Sequence, residues 1–163
     1  MEKLNKDIIK IISEDCRYST SKIAVMLGEN EETISTAIEQ MENDGIIVKY
    51  AAIIDEEKIS TGSVQALIEV KVAPQKNKGF DSIADEIYEL PEVKTLYLMS
   101  GGFDLAVFVE GKTLRDVARF VSERLSTLDS VLSTATHFIL KKYKIEGAVT
   151  KSEDSSKRLA VHP

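Results

Sequence analysis

The sequence contains one cysteine, Cys16, and no tryptophan. A single cysteine forms neither an internal disulfide nor a cysteine-based metal site. Three prolines and eight glycines in 163 residues exclude a collagen-like or proline-rich low-complexity chain. No run reaches the ~18–20 apolar residues of a membrane span. The first fifteen residues interrupt their apolar positions with charge and offer no small-residue cleavage site, so they do not read as a signal peptide. The expected compartment is the cytoplasm, with no membrane partner. His137 stands alone in the body of the chain, with His162 near its end, and an isolated histidine makes no metal site. No nucleophile–base–orienter set and no phosphate loop is present. An enzyme, a metal and a cofactor are therefore not expected.

What the chain does have is charge in an uneven distribution. Residues 1–60 carry seven Lys and Arg against thirteen Asp and Glu, so the whole net charge of −6 lies there, and residues 61–163 balance. Within the same stretch, Leu4, Ile8, Ile11 and Ile12 recur at helical spacing. Ser19 is a good N-cap for a second helix with Ile23, Ala24 and Leu27 on one face, closed at Gly28. Asn30 caps a third, in which Glu31 and Glu32 favour the positive helix end and Ile34, Ala37, Ile38 and Met41 share a face. Gly45 closes it. Three short helices with a tight turn between the last two predict a helix-turn-helix unit, winged-helix-like in outline. Residues 46–55 are rich in Ile, Val and Tyr and read as a linking strand. The small polar run at 60–63 marks the expected domain boundary.

Beyond it the element types alternate. Strands are expected at Val64–Val72, Val93–Met99, Leu105–Val109 and Val131–Lys142. Helices are expected at Phe80–Leu90 and at Thr113–Leu128, the latter carrying Leu114, Val117, Ala118, Val121 and Leu125. Pro74–Gly79 reads as a loop and Ser100–Asp104 as a turn. The order is βαββαβ, a ferredoxin-like arrangement, so the fold class is α+β: residues 1–60, then 61–146, then a polar tail at 147–163. Within that tail, residues 158–161 have the pattern of a short edge strand. Two helices cover one face of such a sheet, and the apolar face left open predicts a homodimer.

Several stretches together resemble the Lrp/AsnC (feast/famine) regulators over nearly the full length. In the first domain these are Arg17-Tyr18-Ser19, Ile23-Ala24, Leu27-Gly28, Thr33-Ile34, Ile38, Met41-Glu42, Gly45-Ile46-Ile47 and the linking run 51–55. In the second they are Gly101, Gly102 and Asp104, then Thr134 and Thr136, and Lys142 to Lys144. The resemblance implies a regulator of amino-acid metabolism or transport genes. It further implies a dimer that assembles into higher oligomers and senses an amino acid or related metabolite between dimers. One departure stands out: the arginine that the family carries midway along the third helix is Ala37 here. No Lys, Arg or His lies between Gly28 and Val48.

On this reading the partner is double-stranded DNA. The exposed positions early in a recognition helix reach base edges in the major groove: here Glu31, Thr33, Ser35, Thr36 and Gln40, with Glu39 beside them. Arg17, Lys22 and Lys49 are the phosphate partners, and Ser19 lies between the first two. In the second domain Gly101 and Gly102 have two readings. Either the turn needs residues that accept positive φ, with Asp104 bracing it, or their backbone N–H groups cradle a ligand carboxylate while Asp104 meets an ammonium. Met99, Ser100, Thr134 and Thr136 complete that candidate effector site. The alternative function is a small-molecule-sensing assembly protein whose helix-turn-helix does not bind DNA.

Overall fold

The computed structural model describes residues 2–59, 62–73 and 79–150. The chain divides into two compact units between Ala52 and Ile53, ahead of the polar run at 60–63 where the sequence placed the boundary.

The first unit is built from α1 (Glu2–Glu14), α2 (Thr20–Leu27) and α3 (Glu31–Asn43). Their starts and stops follow the capping chemistry of the sequence. The Ser19 side chain accepts from the Lys22 N–H and the Asn30 side chain from the Glu32 N–H, each satisfying a first-turn donor that no helix can satisfy for itself. Gly28 and Gly45 adopt φ of +70° and +69°, the left-handed conformation that lets each chain segment leave its helix. Ile8, Ile23, Ala24, Ile34 and Met41 meet as the buried core, with Leu27, Ala37 and Ile38 packed around them. The linking strand is not found. Residues 46–55 have no ladder partner among the described residues, and Val48 is 88% exposed. β-Propensity alone does not make a strand where no neighbouring strand completes its hydrogen bonds.

The second unit opens with one helical turn, α4 (Glu56–Ile59). It continues through β1 (Val64–Val72), α5 (Phe80–Tyr88), β2 (Val93–Leu98), β3 (Leu105–Gly111), α6 (Leu114–Phe120) and β4 (Val131–Phe138). A four-stranded antiparallel sheet forms in the order β2-β3-β1-β4, the ferredoxin-like arrangement. Ala66, Ile68, Val70 and Val72 alternate onto one face and are buried against Ile83, Ile87, Val117, Phe120 and Leu125 of the helices. The other face is mixed rather than apolar. Leu67 lies opposite Phe108, whose ring meets Tyr97 edge-on at 6.1 Å. Beside them Glu69 and His137 are 3.3 Å apart.

Three expected boundaries shift. The second helix of this unit is α-helical only to Phe120 and turns π-helical over Val121–Leu125. A π turn absorbs an extra residue, so one straight-helix face does not run through the whole element. Leu114 and Ala118, counted among its apolar positions, are exposed, and Val117, Phe120 and Leu125 fill the core. Strand β4 ends at Phe138, opposite Ala66, the first β1 residue paired with it; one further bond, from the Ile139 N–H to the Gln65 carbonyl, closes the ladder. The tail begins as structure: β5 (Lys144–Ile145) pairs with β6 (Ala148–Val149) around Glu146 and Gly147, both at positive φ. Thr150 is then buried, its hydroxyl donating to the Lys142 carbonyl. The expected loop over 74–78 and the edge strand over 158–161 lie outside the described residues.

Ile34 is fully buried and Val48 almost fully exposed. Ile34→Ala is expected to lower unfolding stability by about 2–5 kcal/mol, and Val48→Ala by no more than about 0.5 kcal/mol, in urea denaturation of the full chain.

Candidate DNA-contact surface and effector loop

The expected DNA-contact residues lie on α2 and α3 and on the segments just before α2 and after α3, several already held by neighbours. The Arg17 guanidinium grips Asp15, with Nε donating to Oδ1 at 2.9 Å and Nη2 to Oδ2 at 2.8 Å. This fork holds the Asp15 carboxyl at about 2, well below the usual carboxylate value, and pushes Arg17 further up. Both groups face solvent, where such a pair contributes little, so a phosphate can take over the fork. Lys22 Nζ sits 4.0 Å from the centre of the Tyr18 ring, and Lys49 is exposed. Thr20 Oγ1 donates to Glu31 Oε1 at 2.8 Å, tying the start of α2 to the start of α3.

Along α3, Ser35 Oγ donates to Glu39 at 3.2 Å and Gln40 Nε2 to Asp44 at 2.9 Å. Thr33 and Thr36 are exposed and make no recorded side-chain bond. The helix thus presents two free hydroxyls and a row of carboxylates. Tyr50 donates to Glu42 at 2.9 Å, and partial burial, then that bond, raises its hydroxyl pKa. The sequence did not single out Asp15, Thr20 or Asp44 as partners. Asp15 and Arg17 flank a turn two residues apart, and Gln40 and Asp44 are spaced i,i+4, so both pairs were visible in principle.

In the second unit the loop 99–104 joins β2 to β3. Asp104 stitches it to β1: its N–H donates to the Val70 carbonyl at 3.0 Å and its Oδ2 accepts from the Val72 N–H at 2.9 Å. The Met99 N–H donates to the Asp104 carbonyl at 2.8 Å, closing the loop. Met99, Ser100, Gly101 and Gly102 are exposed. The turn does not require its glycines in the way the sequence suggested. Neither Gly101 nor Gly102 has positive φ, and a Cβ on either meets nothing within 4 Å.

Thr134 lies opposite Val70 and Thr136 opposite Ile68. Both therefore share a face, as period two requires, and it is the helix-covered one. Thr134 is near this end of β1, its hydroxyl 3.4 Å from Ser126 Oγ, a neighbour not anticipated. The structure thus brings Asp104 and Thr134 to one end of the sheet, flanking β1 from its two sides, with Thr136 one pair further along.

The sequence pattern of the Lrp/AsnC ligand binding domain matches residues 65–149, and that of a winged helix-turn-helix DNA-binding domain matches residues 1–48. The helix-turn-helix-type transcriptional regulator YugG of Bacillus subtilis is 46% identical over 158 residues, covering 96% of this chain and 95% of that protein. The proline dehydrogenase transcriptional activator of Rhizobium radiobacter is 23% identical over 147 residues, 90% and 94% of the two chains. Among solved structures, a transcriptional regulator of Neisseria meningitidis in complex with L-methionine superposes with a TM-score of 0.69 at 22% identity, over 89% of this chain and 93% of that one. No helix among the described residues is long and apolar enough to cross a membrane.

Two outcomes are expected. Asp15, followed by NMR titration, protonates at about 2. Its folded-state pKa is depressed, so the pair persists at neutral pH and is lost as pH falls through that value; Arg17→Gln returns Asp15 toward 3.8. Asp104→Ala leaves the Val72 N–H without its acceptor and lowers stability by about 1–3 kcal/mol in denaturant unfolding, whereas Asp104→Asn, which keeps an acceptor oxygen, retains most of it.

Proposed function

The chain belongs to the Lrp/AsnC family of helix-turn-helix transcriptional regulators, and from that premise we propose that it binds specific double-stranded DNA sites through α3 in response to an amino acid or similar small effector. In this reading it acts in the cytoplasm as a homodimer that assembles further, with the effector held at loop 99–104 between dimers. Its targets are genes of amino-acid metabolism or transport, the role suggested by the names of the Rhizobium activator and the methionine-bound regulator.

The observation that carries the effector half is the state of Gly101 and Gly102. Their own backbone does not demand glycine, and the space above them is open. A side chain there would obstruct only something arriving from outside the chain. A ligand carboxylate that approaches the backbone closely fits this arrangement, with Asp104 and Thr134 at the same end of the sheet.

For the DNA half, Thr33, Thr36 and Gln40 supply hydrogen bonds to base edges, with Gln suited to adenine. Arg17, Lys22 and Lys49 supply the phosphate contacts. A dimer offers about six, the low end of the range for a strongly salt-dependent binder. Joining several dimers along one DNA multiplies affinity by ~10²–10⁴ without new contacts, so assembly rather than a single reading helix carries the binding. The acidic run from Glu29 to Asp44, with no basic residue in it, favours the second reading: a sensor whose helix-turn-helix braces the assembly and leaves DNA alone.

A gel shift with the DNA upstream of the protein's own gene, at low and moderate salt and with amino acids added singly, separates the two. The regulator reading expects a specific, salt-sensitive shift altered by at least one amino acid, and loss of that response in Gly101→Val with binding retained. A folded, assembled protein giving no shift at low salt on this or other genomic DNA overturns it in favour of the second reading.

A further inference from the structure

A separate cleft lies at the far end of β3 from the effector loop, between that strand's exit and the α6–π turn. Its volume is ≈ 390 Å³, within the ~300–1,000 Å³ range of small-molecule sites. The clefts at Ile139–Lys142 and beside α5, ≈ 220 and ≈ 270 Å³, fall below it, and one of ≈ 480 Å³ lined by Lys94, Glu110, Gly111 and Lys112 adjoins this cleft but lacks its buried apolar floor. The floor is apolar and buried: Val109, Val117 and Phe120 are 2, 2 and 3% exposed. Gly111 lets α6 approach this closely, since a Cβ there would stand 3.0 Å from Val117 Cγ2.

The rim is charged in both signs, and the π turn arranges it. On a regular helix, positions five apart point to different sides; the extra residue absorbed over Val121–Leu125 brings Arg124 round to the face of Arg119, and both line the cleft. Neither guanidinium is used up. Arg124 employs Nη1 alone to hold both Glu92 oxygens, at 2.7 Å each, and Arg119 employs Nη2 alone on Asp116. Lys112, Glu110 and Glu123 also line the cleft and make no recorded side-chain bond among the described residues.

We propose that this cleft is a second ligand site, for an α-amino acid with an apolar side chain. Four carboxylates against three cations on the rim disfavour a polyanion such as a phosphate ester. Spare guanidinium donors and a free ammonium beside two free carboxylates match the two ends of a zwitterion. The apolar floor takes the side chain. The site shares no residue with loop 99–104 or with Thr134 and Thr136, so the two sites bind independently at the level of contact.

The test is isothermal titration of the full-length protein with L-leucine, L-methionine and L-phenylalanine. Three proteins are compared: wild type, Gly101→Val, and the double variant Lys112→Gln with Arg119→Gln. Both replaced cations are exposed, so melting temperatures should match wild type. The expected result is two equivalents per chain for wild type with at least one of these ligands. Gly101→Val should keep the cleft's equivalent, and the double variant should weaken that equivalent by about tenfold or more while keeping the loop's. Loss of all binding in Gly101→Val, wild-type binding in the double variant, or no binding of any of the three ligands overturns the cleft. Loss of all binding in the double variant with none lost in Gly101→Val upholds the cleft and instead removes the loop from the effector reading.

Discussion

Strand β1 is hydrogen-bonded along both edges, to β3 on one side and β4 on the other, and the rest of the second unit takes its place from it. Side chains alternate along a strand, so pairing both edges fixes the face of every residue on three strands at once. Ala66, Ile68, Val70 and Val72 go to the core, and a one-residue slip would turn all four to the open face. The same register sets where the functional residues meet. Pairing with β3 ends at Val70 opposite Leu105, so the Val72 N–H on that side has no strand left to bond. The Asp104 carboxylate supplies the acceptor, which anchors the glycine loop where β1 leaves the sheet. On the other edge the register puts Thr134 opposite Val70. The position of the proposed effector loop at this end is a consequence of the ladder.

The first unit works under a different constraint. Its helices are short, and its core rests on five buried side chains; the caps at Ser19 and Asn30 and the left-handed glycines decide where each helix starts and ends. The polar surface is then organised by short-range ties: Asp15 with Arg17, Thr20 with Glu31, Ser35 with Glu39, Gln40 with Asp44. Each tie is weak in water, yet together they settle which donors are free. Thr33 and Thr36 are, while Arg17 must exchange a carboxylate for a phosphate to act. The electrostatic character of α3 follows from its composition, and its hydrogen-bonding character from these pairings.

The π turn in the second long helix links packing to chemistry. One extra residue rotates everything after Phe120, which drops Leu125 into the core and brings Arg124 to the cleft side where it meets Glu92. Leu114 and Ala118 precede the turn and are exposed on the regular part of the helix. The face of a helix is a cumulative quantity, so a local insertion alters the placement of the residues that follow it.

The sequence by itself determined the elements and their order. Capping residues, glycine stops and the two periods of 3.6 and 2 are local signals, and they located five helices, four strands and the buried faces of α1, α2 and α3. The run of acidic residues without a base on α3 was equally plain. Whatever depends on residues far apart in the chain was decided only by the tertiary structure. The β-rich stretch 46–55 stayed without a partner strand, and β4 stopped where β1 ceased to pair with it. Residues 147–149, expected to begin a bare tail, instead complete a hairpin with Lys144–Ile145, and Thr150 after it is buried. Asp104 found Val72 thirty-two residues away, which made it a structural tie as well as a candidate ligand contact. Gly101 and Gly102 proved unnecessary to their own turn, a fact that only φ and the empty space around them disclose. Local propensity is written residue by residue, whereas a hydrogen-bond partner or a cleft wall exists only once the fold has brought its two sides together.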